Sequence, residues 1–234
     1  LVLHTHWGGR VNRPYALALD AAWSETFGHR TAVYVNNDCV VAMLSDEVSV
    51  EEVIGLVSLQ NVDTWLRLRL EGSGFFGARF REAAGTSLLV TRNKAGQRLP
   101  LWLSRMRAKK LFESVQRYDD FPLLLEAWRS CMKDAFDMES LRLVLGELEQ
   151  GDIEVSVTRG KKPSPFAASV AWRQINEEYM YATDDPSALG KSNLREDLVR
   201  SVAFDAEHRP QIDAALVEEF EGKRRRLAEG YAPA

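Results

Sequence analysis

Residues 4–19 read HTHWGGRVNRPYALAL, and the parsing of this stretch decides the fold. It continues the run LVLHTH (residues 1–6), which alternates in the manner of a β-strand. Gly8 and Gly9 permit a tight turn. Pro14 suits the first position of a helix, and Tyr15, Leu17, Leu19, Ala22, Trp23 and Phe27 recur at helical spacing up to Gly28. A strand, a turn and a helix therefore open the chain. His4 and His6 share one face of the strand, but zinc needs at least three ligands. The other histidines are His29 and His208, and the chain has no HExxH or CxxC. WGGR has the glycines of a phosphate loop without its G-x-x-x-x-G-K-[ST] spacing, which occurs nowhere in the chain.

The 234 residues fit one large domain or two small ones. With 45% apolar and 27% charged residues, the composition is that of a soluble globular protein. A chain of this length buries roughly 70% of its unfolded surface, so its core needs neither metal nor disulfide. Two cysteines, Cys39 and Cys131, make no framework and suit a reducing, cytoplasmic setting. No apolar run approaches the ~20 residues of a membrane span, so no membrane partner is expected. Leu1 falls inside a β-prone run, which fits trimmed disordered ends or an excised piece of a longer protein equally well.

Downstream, TAVYVNNDCVVAML (31–44) reads as a hairpin turning at Asn36–Asp38. Ser49 caps an expected helix over 50–59, and Asp63 caps another over 64–70. From residue 74 the pattern becomes helical: 74–91, 101–118, 121–136, 138–149, then 166 onward, 193–204 and 210–228. RNKAGQR (92–98) reads as a polar loop, and IEVSVTR (153–159) reverts to strand alternation. The class is α+β. A small β-rich, barrel-like part with one packed helix (1–72) precedes a mainly helical part (73–234) crossed by a short strand.

The net charge of −4 is unevenly spread. Residues 83–112 hold no Asp or Glu but carry Arg92, Lys94, Arg98, Arg105, Arg107, Lys109 and Lys110, seven of the 30 basic residues. That leaves 23 basic against all 34 acidic residues elsewhere. A basic island in an acidic chain points to a local polyanion contact. Arg105 and Lys109 lie four apart on one helical face, with Trp102 a turn before Arg105. Cations beside an aromatic platform are what single-strand binding requires. Trp102 suits either a base or the core. Trp7 with Arg10 and Arg13 presents the same pair of options at the opening turn. Catalytic signals are weaker: there is no G-x-S-x-G elbow, and Asp184-Asp185 before Pro186 reads as a turn.

Several stretches together resemble the large helicase-related (Lhr) superfamily 2 helicases, in the DEAD/H-associated domain that follows the motor. They are HTHWGGRVNRPYALAL (4–19), FGARFREAAGTSLLVTR (76–92), RLPLWLSRMRAKKL (98–111), DFPLLLEAWRSCMKDAFDMESL (120–141), PSPFAASVAW (163–172) and YMYATDDP (179–186). The resemblance implies a parent that couples ATP hydrolysis to 3′-to-5′ movement on single-stranded DNA. Two RecA-like domains and a winged helix would accompany this module there. ATP and Mg²⁺ would belong to that motor, with no cofactor here. The partner would be single-stranded DNA or an RNA:DNA hybrid, contacted through Arg92, Lys94, Arg98, Trp102, Arg105, Arg107, Lys109, Trp7, Arg10 and Arg13. The alternative is a module that docks on its own motor without touching nucleic acid.

Overall fold

In the computed structural model, residues 1–44, 48–90, 100–160, 164, 166–167, 170, 195–200 and 204 are described, with 93–94 and 97–98 as backbone. Strand β1 (Val2–His4) lies antiparallel to β3 (Cys39–Met43), which also pairs with β2 (Ala32–Val35), giving the order β1-β3-β2. The register sets Val2 opposite Val41 and Val35 opposite Val40. This is an open sheet of three strands rather than a barrel. Helix α1 (Gly9–Phe27) packs on β2 and on α3, and its inward residues Tyr15, Ala18, Leu19, Ala22 and Trp23 are buried.

The opening turn is tighter than its sequence indicates. Gly8 adopts φ +83° and ψ 156°, a region that side chains with a Cβ essentially avoid. Its carbonyl accepts from the amides of Val11 and Asn12, which starts the helix at Gly9, five residues before Pro14. The expectation that Pro14 would begin the helix is therefore corrected. Proline is tolerated in the interior because the carbonyl it leaves unserved finds another donor. Arg10 O, which the amide of residue 14 would otherwise serve, accepts from the backbone N–H of Asp137 at 3.0 Å. Gly9 is needed for a different reason: a Cβ there would come within 2.8 Å of Asn37 Oδ1. That oxygen belongs to an exposed side chain that can move. Gly8→Ala is accordingly expected to cost about 2 kcal/mol and Gly9→Ala about 1 kcal/mol. Urea unfolding of the two variants tests this ranking, and the reverse order would contradict it.

Helix α2 (Val50–Gly55) starts at Ser49, whose side chain accepts from the Glu52 amide at 3.1 Å. Helix α3 (Val62–Arg69) begins earlier than expected, at Asn61. Asp63 is not its cap, because that carboxylate takes Arg142 at 2.9 and 3.0 Å. Helix α4 (Gly74–Thr86) is capped by Ser73 and stops short of residue 91. A two-stranded hairpin follows, β4 (Asn93–Lys94) with β5 (Gln97–Arg98), where a polar loop was expected. Helix α5 (Leu101–Val115) then packs on α4.

Helix α6 (Pro122–Arg129) continues into a π-helical turn over Ser130–Ala135. Helix α7 (Met138–Gln150) is capped by Asp137, which accepts from the Ser140 amide, and is ended by Gly151 at φ +81°. Residues 153–159 form no strand, a correction to the expected crossing strand. Val155 and Val157 are exposed, and no described strand lies beside them. Alternation makes a strand only where an edge is there to pair with. The helical turn Glu196–Val199 is described, whereas most of the helices expected from 166 and over 193–204, and all of 210–228, lie outside the described residues.

One hydrophobic core runs through both halves, from Val11 through Phe76, Phe112 and Trp128 to Leu145. Two polar contacts are built into it. Trp128 Nε1 donates to the buried carboxylate of Glu71 at 2.6 Å. Arg69 pairs with Asp20 between α3 and α1, where burial pushes the Asp20 carboxyl up against the pull of the guanidinium. No helix among the described residues is long and apolar enough to cross a membrane.

Candidate nucleic-acid interface

Helix α5 buries the face made by Ala108, Phe112 and Val115; Phe112 sits edge-on to Phe80 at 5.1 Å and Phe76 at 6.0 Å. The opposite stripe, spaced every fourth residue, is Trp102, Met106 and Lys110. Trp102 is 65% exposed, so of the two options left open by its sequence context, the core is eliminated. Arg105 and Lys109 lie a turn apart on one flank, Arg107 on the other, all half-buried along their stems. Lys94 and Arg98 stand on the two strands of the hairpin just before this helix. Arg92 lies outside the described residues.

The three residues of the opening turn are placed elsewhere, and each has an intramolecular contact. Trp7 is half-buried, edge-on to Tyr15 at 5.6 Å. Arg10 donates to the carbonyl of Asp134 at 2.9 Å, in the π-helical turn. Arg13 lies over the ring of Phe75 at 4.6 Å, and Arg79 approaches the same ring at 5.3 Å. Phe75 stacks in turn on Phe136. Burial pushes the Cys131 thiol up to about 12, against the opposing pull of the Arg79 and Arg13 charges. The opening turn and the basic helix are thus two separate groups in the chain; Trp7 of the first is half-buried, whereas Trp102 of the second is exposed.

Residues without a sequence signal complete the opening turn. Asn12, fully buried, accepts from Thr5 Oγ1 at 2.8 Å and donates to the carbonyls of Asn36 and Asn37. His4 and His6 stack on each other, and Phe166 of the PSPF motif sits edge-on to both, at 5.9 and 5.5 Å. The two histidine rings lie together as expected, although β1 ends at His4 and His6 has φ +53°; both stay exposed, with the exposed ring of Phe166 at their edge. Among the described residues no group of three or more His, Cys, Asp or Glu could hold a metal ion. GSGFFG (72–77) has the glycine spacing of a dinucleotide turn, but α3 rather than a strand precedes it and Ser73 simply caps α4.

Fold and surface define an α+β module marked by a basic hairpin and helix. The family model described as DEAD/H associated matches residues 1–167, and the chain belongs to that family of helicase-associated domains. It is 32% identical over 235 residues to Lhr helicase/uracil glycosylase of Escherichia coli K12, covering 98% of this chain and 15% of that one. It is also 32% identical to Lhr helicase/probable uracil glycosylase of Mycolicibacterium smegmatis, covering 80% of this chain and 12% of that one. The solved structure of Mycobacterium smegmatis helicase Lhr bound to ssDNA and AMP-PNP is similar with a TM-score of 0.64 at 32% identity, over 72% of this chain and 22% of that one. The chain thus spans a small part of the relatives it matches.

Proposed function

We propose that this module is the accessory C-terminal part of an Lhr-type ATP-dependent 3′-to-5′ helicase and contributes contacts to a single strand of DNA or to an RNA:DNA hybrid. ATP and Mg²⁺ serve the RecA-like motor domains of the parent. The observation that carries the reading is Trp102, a large apolar ring held in solvent on a basic helix whose first twelve residues carry no acid. Burial would be the default for such a ring, and a nucleobase is the surface it suits on a polyanion. Arg92, Lys94, Arg98, Arg105, Arg107 and Lys109 supply the phosphate contacts. Further support is the likeness to a helicase solved with single-stranded DNA.

Six such contacts give a plot of log affinity against log salt a slope of about −4. In fluorescence anisotropy with labelled single-stranded DNA, an Arg92/Arg98/Arg105 triple alanine variant is expected to flatten the slope to about −2. Undetectable binding at low salt, or an unchanged triple variant, would overturn the reading.

A second reading, docking on the motor without nucleic acid, has one observation in its favour. A shallow cavity between α1 and β2 is lined by Ala16, Leu17, Val33 and Val35, with Arg13 and Asp20 beside them. In that case the module would pull down its separately expressed motor while leaving DNA unbound.

A further inference from the structure

Between α4 and the basic hairpin the chain turns a corner at Leu88 and Leu89. These side chains are 79% and 56% exposed, among the largest apolar exposures of the described residues. Leu88 has φ +60°, a left-handed conformation that a Cβ-bearing residue rarely adopts. The corner is held on both sides. The amides of Leu89 and Val90 both donate to Ala84 O, at 3.0 and 3.1 Å, and Val90 is buried in the core. The backbone is thus fixed in a strained form that points two apolar side chains at solvent. Strain of this kind persists where the surroundings over-determine it, and it gathers at functional positions.

The neighbourhood indicates what the leucines meet. The corner lies within the thirty residues that hold no acid, and Arg92, Lys94 and Arg98 follow it directly. Aliphatic tips add nothing to phosphate binding. The apolar surface that a polyanion offers is the face of a base, and it is fully open only at a duplex end or an unstacked step. We infer that Leu88 and Leu89 form an apolar wedge that abuts the terminal base pair where a duplex meets a single strand. The hairpin and α5 hold the strand that leaves it. This inference rests on the nucleic-acid reading proposed above and adds strand separation to it.

The test compares three DNAs with the 234-residue chain: a single strand, a blunt duplex, and a duplex bearing a single-stranded tail. The chain is expected to bind the tailed duplex about tenfold more tightly than the single strand. A 2-aminopurine in the terminal pair is expected to brighten on binding as the pair opens. The variant is Leu88→Gly with Leu89→Ser; both positions are exposed and glycine accepts the left-handed φ, so the fold is retained, as thermal unfolding would verify. It is expected to keep the single-strand affinity, to lose the preference for the junction and to leave the 2-aminopurine dark. An unchanged junction preference in the variant, or none in the wild type despite single-strand binding, would overturn the wedge alone and direct the leucines to a protein surface. No binding to any of the three DNAs would overturn the wedge together with the nucleic-acid reading.

Discussion

Trp23→Ala is expected to destabilise the protein by about 4 kcal/mol and to lower its melting temperature by roughly 8–16 °C. Trp23 is fully buried, with its ring 4.2 Å from that of Phe27 and edge-on to His29. It lies on the face of α1 that also buries Leu19 and Ala22, one side of the core shared with α3. Truncation removes about nine heavy atoms from this site, and the elements around it are tied by separate hydrogen bonds that resist collapse. The Arg69–Asp20 pair fixes α3 against α1, and Thr31 Oγ1 donates to Met43 O at 2.5 Å. Calorimetry decides the matter. A fall of less than about 4 °C would mean that the core closes over the gap and that the packing is looser than described.

Asn12→Leu is expected to cost about 3 kcal/mol although it preserves the branched outline of the side chain. The buried amide of Asn12 joins β1, the start of α1 and the tip of the β2–β3 hairpin, through Thr5, Asn36 and Asn37. Leucine would leave the Thr5 hydroxyl and two carbonyls in part-buried surroundings without that partner, at about 1 kcal/mol or more each. The damage should be local as well as global. The amides of Thr5, His6 and Gly8, which donate to the carbonyls of Asp38 and Asn37, are expected to exchange with solvent faster in the variant. Hydrogen exchange resolved by residue measures this, and unchanged protection at those amides would show that the turn is held by its backbone alone.

These two positions mark how far the sequence can be read. Trp23 sits in a helical apolar pattern, a local property, and the helix around it is legible. The Ser49 cap, the Asn36–Asp38 turn and the glycine stop at Gly28 are legible for the same reason. Asn12 carries no periodic signal, because its partners come from two separate segments of chain. Pro14 is misread by the ordinary rule for helix starts, since the donor that makes it tolerable is Asp137. The alternation in 153–159 describes a strand without saying whether a sheet edge stands beside it. At the candidate site, the charge of the basic island is plain from composition, but the exposure of Trp102 depends on which face α4 covers. The internal contacts of Arg10 and Arg13, and the corner at Leu88, are settled by packing and backbone conformation that a residue list does not contain.

The bond from the Asp137 amide to Arg10 O has a consequence for the order of assembly. It joins the first helix to the cap of α7, the last long helix among the described residues, across most of the core-forming chain. Closing so large a loop carries an entropic cost that must be met before the contact returns anything. The bond therefore cannot nucleate folding and belongs among the last to form. Until then the gap made by Pro14 stays open to water, and the opening turn of the domain is a frayed end that the far side of the molecule completes.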